Sequence, residues 1–508
     1  MAHSSLTMSR RATLLCTILL IAMAIEAQHT ETVTVEVVDV PVYVYRAATP
    51  INGLTRDDFE LFVNGKRQSI DYFDVIGEVT SPADATPDTP DDAIRERRLF
   101  LLVFDLAYSP PAAIVRAQRA ALDLVAHAAA SDVFSVATFT ARRGVDYIVP
   151  FTPDRQQVQH AIVGLGLTSA RDPLGLIITP PPSFLTATED GGLPDDAYFL
   201  VNAAAAVASG DAIRDNVRTR EARTIEHQLT ELGAIGARLA PLKGTKHVIL
   251  MSPGFDSYVI SDLSLRRGPK PPAANVRLIN LLETMYRQYQ AAGVFLHAVD
   301  TAGLRIGADV LSNDALHLLA AGTGGQVIRN RNDLGAALAE LISAQQTGYL
   351  LGFRPAGVRD GYNKIVVKLK DDAARGATMR YRKGFSTAAT PADVTNGMYL
   401  ADIILNDVPQ TGVAVKLDAM GGALMVRLPL QAIAEQLGGS GKAEVLLYIV
   451  DDHGTVVDFH QRTVDVVNGM AKQGLLTLQL NLPKGNYVAK ALLRVGDSVG
   501  YAKLAFAR

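Results

Sequence analysis

The pattern of hydrophobic and polar positions changes character twice along the chain of 508 residues. Thr32 to Val44 alternates apolar and polar residues with the period of two that a strand requires. Asp57 to Val63 (DDFELFV) continues in the same manner. Asn64-Gly65 follows, a pair suited to the positive φ angles of a hairpin turn, and Gln68 to Ile76 reads as the returning strand. Together these segments predict a small all-β module over 31–79.

From Arg98 the rhythm lengthens. Leu99 to Phe104 is an unbroken apolar run closed by Asp105, as in a parallel strand buried on both faces. Pro110-Pro111 opens a helix, where the missing N–H does no harm. In it Ile114, Ala117, Ala121, Leu124, Val125 and Ala128 form one face, and Arg116, Arg119, Asp123 and His127 the other. Val133 to Phe139, Lys246 to Met251, Gly293 to Val299 and Gly325 to Ile328 read as further strands, with Val145 to Pro150 pairing nearby. Helices are expected from Pro153 to about Val163 and from Glu221 to Leu239. This βαβ series predicts a mainly parallel sheet with helices on both faces, an α/β class, over 98–386. Tyr349 to Phe353, Asn363 to Leu369 and Thr378 to Arg382 are its last strand-like runs. Short alternating runs return at Tyr399–Leu405, Gly422–Leu428, Ala443–Val450, Leu475–Leu482 and Tyr487–Val495, as in a C-terminal β-sandwich over 395–508.

Three stretches fall outside these rhythms. Residues 1–27 read as a signal peptide, with Arg10 and Arg11 before the apolar run Ala12 to Ile25 and a small residue, Ala27, at the cleavage point. Residues 80–97 form a linker rich in proline and aspartate. Residues 169–220 interrupt the α/β pattern with clustered prolines and Gly191-Gly192, a length of irregular chain that often carries function. After the signal, Tyr198 to Ser209 is the apolar run nearest to a membrane span, and it is too short to cross. The expected location is periplasmic or extracellular.

Composition then removes several classes. The chain is 48% hydrophobic and 20% charged, which fits a globular protein. Its 49 basic and 52 acidic residues give a net charge of −3, so nucleic acid is not an expected partner. One cysteine excludes a disulfide scaffold, a thiolate zinc cluster and a CxxC redox centre. HExxH does not occur, and the ten histidines lack metal-ligand spacing. Gly438-Gly439-Ser440-Gly441-Lys442 departs from a phosphate loop at Gln436 and Ala443 and reads as a turn. No catalytic constellation emerges, so the chain is read as no enzyme.

Several stretches in order resemble the VWFA-related family of secreted bacterial proteins, whose central domain has the von Willebrand factor type A fold. They are GLTRDDFELFVNGKRQSIDYF, LFLLVFDLAYS, KHVILMSPGFDS, FLHAVDTAGL, AAGTGGQVI, and GYLLGFRP with KIVVKLK and YRKGF, spanning roughly 31–386. The resemblance implies a Rossmann-like central domain, export, and protein binding or adhesion without established catalysis. It also implies a metal-ion-dependent adhesion site, DxSxS…T…D, holding Mg²⁺ or Mn²⁺. Here Asp105 and Ser109 keep their places, Thr168 is the candidate threonine and Asp256 the candidate final aspartate. Ala107 replaces the first serine, and Pro253 stands where the final aspartate is expected. The site is therefore read as degenerate. The competing reading of Asp105 is a turn carboxylate bonded to backbone N–H groups of its own loop. The expected function is an exported protein–protein interaction scaffold. Alternatives are a cation-dependent adhesion receptor, and a hydrolase or carbohydrate-binding protein, the latter opposed by the absence of tryptophan and 6% aromatic content.

Overall fold

The computed structural model describes residues 37–46, 49–76, 94, 97–165, 211–255, 275–304, 314–345, 347–355, 358, 361–370, 375–387, 395–420 and 422–508. In chain order the first strands are β1 (Val38–Arg46), β2 (Thr49–Pro50), β3 (Phe59–Val63), β4 (Lys66–Gln68) and β5 (Tyr72–Ile76). The α/β series follows as β6 (Arg98–Asp105), α1 (Pro111–His127), β7 (Val133–Thr140), β8 (Gly144–Thr152), α2 (Arg155–Gly164), α3 (Asp211–Leu239), β9 (Thr245–Ser252), α4 (Val276–Ala292), β10 (Val294–Asp300), α5 (Asp314–Ala321), β11 (Val327–Ile328) and α6 (Leu334–Ser343). Then come β12 (Gly348–Phe353), β13 (Tyr362–Leu369), β14 (Ala377–Tyr381) and β15 (Gly384–Ser386). The last elements are α7 (Gly397–Leu405), β16 (Lys416–Met420), β17 (Ala423–Leu428), α8 (Leu430–Gln436), β18 (Ser440–Asp451), β19 (Val456–Val467), β20 (Gly474–Gln479), β21 (Asn486–Val495) and β22 (Ser498–Ala507).

The fold is mixed α/β. Its central six-stranded sheet has the order β11-β10-β9-β6-β7-β8, parallel except for β8. The unbroken apolar run in β6 serves both faces. Leu99, Leu101 and Val103 meet α3 and α4 through Leu229, Leu232, Leu282 and Met285, while Phe100, Leu102 and Phe104 meet α1, α2 and α6. Helix α1 buries Ala113, Ala117, Ala120, Ala121, Leu124 and Val125. Asp154 caps α2, accepting from the N–H groups of Gln156 and Gln157. In the connection from α5 to β11, a Cβ on Gly325 would sit 1.8 Å from the Leu296 carbonyl oxygen, so only glycine fits this close approach.

The N-terminal strands differ from the expected self-contained module. Strand β1 pairs with β12 and β14, β5 with β12, and β3 with β13. Two sheets result, and Val40, Val42, Phe59, Leu61, Tyr349, Leu351, Ile365 and Val367 from both share one core. The expected returning strand Gln68 to Ile76 is likewise split. Only β4 closes the Asn64-Gly65 hairpin onto β3. The chain then crosses to the other sheet, because the backbone N–H of Asp71 bonds Gly352 and its carboxylate accepts from the Arg354 N–H.

This β layer docks at the N-terminal ends of the parallel strands. Tyr45 donates to the Ala344 carbonyl, and Tyr43 packs against Phe295 and His247. His247 and His297 are buried beneath it. The Gln326 N–H donates to His297 Nδ1, so the His297 proton sits on Nε2 and points to His247 Nδ1 at 3.1 Å. At the same end Arg98 holds Asp132 through two bonds of 2.8 Å each.

The C-terminal residues form a three-stranded sheet, β16-β17-β20, and a four-stranded sheet, β19-β18-β21-β22, which share Leu424, Val426, Val445, Leu447, Ala491 and Leu493 as core. The expected strand at Tyr399–Leu405 is helix α7 instead. Asn396 caps it by accepting from the Met398 and Tyr399 N–H groups, and every side chain from Met398 to Ile404 is buried. A segment buried on all sides carries no usable period, which is why the alternation misled. Helix α7 joins the core of the parallel sheet to Leu446, Tyr448 and Leu492 of the four-stranded sheet. Arg97 Nη2 reaches Asp402 at 2.5 Å, and Asn406 donates to the Phe151 carbonyl.

Candidate functional site

Both β layers meet the central sheet at or near the N-terminal ends of its parallel strands. The opposite rim, where parallel strands deliver their loops, carries Asp105 as the last residue of β6. Ser252 ends the neighbouring β9 and Asp300 ends β10, in register with each other. Parallel pairing thus brings three polar residues to one level at the strand ends.

Asp105 is 1% exposed, and four donors among the described residues hold its carboxylate. Oδ1 accepts from the N–H groups of Ala107 at 3.0 Å and Tyr108 at 3.2 Å. Oδ2 accepts from Ser252 Oγ at 2.5 Å and from Gln228 Nε2 at 3.2 Å. Ser252 Oγ in turn accepts from the Gly254 N–H at 2.9 Å. Burial pushes the Asp105 carboxyl up from 3.8 to about 6, against the pull of the Ser252, Tyr108, Ala107 and Gln228 bonds. Around it Tyr108 Oη, Gln228 Oε1 and Thr301 Oγ1 are buried with no hydrogen-bond partner among the described residues. Arg116 ties α1 to this rim, donating through Nη2 to the Thr301 carbonyl at 2.6 Å.

Of the residues expected to form a cation site, Asp105 stands at the strand end and Ser109 is buried in the connection to α1. Thr168 and Asp256 lie outside the described residues. The N–H bonds to Asp105 are those of the turn reading set against metal ligation. Sequence reasoning missed Ser252 and Gln228. Ser252 carried a signal, since it ends the strand that a parallel sheet places beside β6. Gln228, in the middle of α3, carried none.

The cation that the resemblance implies was tested against this donor set. An ionised carboxylate offers about four lone-pair positions, and four protein donors occupy them. Ala107 presents a methyl group where the motif requires an oxygen. Mg²⁺ demands several oxygens at about 2.0–2.1 Å in octahedral array. The described residues do not fit it.

The rim has a second feature. Among the described residues of 97–345, the exposed large hydrophobic side chains are Val115, Val163, Val276 and Leu304. Val115 lies near the start of α1, which leaves the rim, and Leu304 follows the end of β10. Val276 begins α4, and Val163 lies at the end of α2, antiparallel to α1 as the bonds Gln118 to Ile162 and Arg155 to Ala129 require. All four therefore sit at or close to the rim, and the other end of the sheet is covered.

No protein-family model matches the chain, and no curated protein matches it. Solved structures with some likeness include BatB from Bacteroides thetaiotaomicron, at 11% identity and TM-score 0.26, covering 49% of this chain and 98% of that one. A von Willebrand factor type A protein from Catenulispora acidiphila shows 9% identity and TM-score 0.26, covering 80% and 66%. The three N-terminal domains of the type V pili tip protein Mfa5 from Porphyromonas gingivalis show 9% identity and TM-score 0.23, covering 92% and 95%. Among the described residues no helix is long and apolar enough to cross a membrane.

Proposed function

We propose that the chain is an exported, non-enzymatic scaffold that binds a protein partner through the rim at the C-terminal ends of its parallel strands. In this reading 98–386 is a type A-like unit whose final strands complete the N-terminal β layer, 395–508 is a β-sandwich, and 80–97 links β5 to β6. Export rests on the signal-like sequence of residues 1–27. The observation that carries the reading is that Val115, Val163, Val276 and Leu304, the exposed large hydrophobic side chains among the described residues of 97–345, all lie at or close to this rim, Val115 and Val163 on one face of the sheet and Val276 on the other.

Charge substitutions at helix ends test it without threatening the fold. Val276→Asp places an anion at the N-terminus of α4, and Val163→Lys places a cation at the C-terminus of α2, each favoured by the helix dipole. Met420→Asp and Val457→Asp, on exposed positions of the C-terminal sheets, serve as controls. Partner capture by chemical cross-linking in cell-envelope extracts should fall in the rim variants and persist in the controls. Equal capture by all four variants would remove the rim from the reading.

A further inference from the structure

We infer that Gln228 and Ser252 take the place of the divalent cation in this rim, so that the rim works in a permanently metal-free state. The inference rests on the reading of the rim as the binding face, and it assigns Gln228 as the residue that positions Asp105.

In a cation-binding arrangement an aspartate at this strand end turns free lone pairs toward the ion, and serine hydroxyls offer their oxygens. Here Ser252 donates its proton to Asp105 Oδ2, and its oxygen accepts from the Gly254 N–H. The amide nitrogen of Gln228 approaches the same Oδ2 from α3. A neutral amide N–H cannot coexist with a cation on that lone pair, because both compete for one acceptor site. Turning the amide over would set Oε1 against the carboxylate oxygen, so Asp105 also fixes the orientation of Gln228. Gln228 is 1% exposed, and its Oε1 has no partner among the described residues. Among the described residues the amide is therefore held by its contact to the acid, at 3.2 Å across 123 residues of chain. The replacement of an oxygen ligand by Ala107 agrees with the same outcome. It leaves a buried carboxylate compensated by hydrogen bonds from N–H and O–H groups in place of a metal charge.

The experiment is a thermal melt of the full chain in EDTA and in excess Mg²⁺ or Mn²⁺, read by circular dichroism. Four proteins are compared: wild type, Asp105→Ala, the double variant Gln228→Ala with Ala107→Ser, and that double variant carrying Asp105→Ala as well. Wild type and Asp105→Ala should show the same small, non-saturating response to cation. The double variant frees one lone pair on Asp105 and supplies an oxygen at position 107. It should gain a saturable rise in Tm of several degrees that disappears when Asp105 is removed. A ligand binding only the folded state at a hundredfold excess over Kd would produce such a rise. A saturable rise in wild type that Asp105→Ala abolishes overturns the inference, and it does so whether or not the double variant folds. So does a folded double variant with no gain. Both outcomes leave the rim as a binding face intact, whereas the charge substitutions at Val163 and Val276 test that face independently.

Discussion

Replacing Asp105 by asparagine should make this protein more stable at neutral and alkaline pH. The buried carboxyl is raised from 3.8 to about 6 in the fold, with burial as the leading cause. The sign follows from proton binding. Between about pH 4 and pH 6 the folded state holds a proton that the unfolded chain has released, so stability falls as pH rises through this window and levels off above it. The plateau corresponds to about 3 kcal/mol of destabilisation carried by the ionised carboxylate. Asparagine keeps an oxygen to accept from the Ala107 and Tyr108 N–H groups. Its amide faces Ser252 Oγ and Gln228, whose unpartnered Oε1 can turn to receive it. The loss of a charged acceptor for Ser252 costs about 1 kcal/mol in return. The net expectation for Asp105→Asn is a gain of about 1–2 kcal/mol at pH 8 that shrinks to nothing or reverses below pH 4. Urea unfolding at pH 8 and pH 4 measures it as a shift in midpoint at constant m-value. A variant less stable than wild type at pH 8, or a difference unchanged between the two pH values, would show that the Asp105 carboxylate does not destabilise the fold. The gain would also identify the aspartate as a group held against the interest of stability, which is a property of functional sites.

Other perturbations probe the frame around the rim. Asp132→Ala should destabilise by about 3–5 kcal/mol, because it strands the buried Arg98 guanidinium; calorimetry reads this as a lowered Tm, and a loss under about 1 kcal/mol would contradict the burial of the pair. Gly325→Ala should cost about 3 kcal/mol or prevent folding, since the added methyl collides with the Leu296 carbonyl, and an unchanged urea midpoint would count against the strand register. Burial holds His297 down to about 3 and His247 well below its ordinary 6.5. Stability present above pH 6.5 should therefore be lost as pH falls toward those folded values, at up to about 1.4 kcal/mol per pH unit for each imidazole. Measured in the Asp105→Asn background, which removes the opposing carboxyl, this slope should flatten in a His247→Phe, His297→Leu variant; an equal slope would exclude the pair as its source.

The chain's local pattern determined much of the frame. A short apolar run between helical patterns suits a strand covered on both faces, so β6, β7, β9 and β10 were legible from residues such as Leu99 to Phe104. The apolar stripe of α1 and the Asn64-Gly65 turn were legible for the same reason, since each states a period or a backbone requirement over a few residues. So was the placing of Asp105 at a strand end. Tertiary structure alone decided the rest. The period of a strand says which face is buried and nothing of its partner, so β1 gave no sign that it would pair with β12 and β14, some 300 residues on. Tyr399 to Leu405 could not announce a helix, because a segment enclosed by α3, β8 and β21 is buried on every side and shows no polar face. The state of Asp105 was decided in the same way. Two of its four hydrogen-bond donors, Gln228 and Ser252, arrive from 123 and 147 residues away, and a carboxylate's chemistry is set by the donors that packing brings to it.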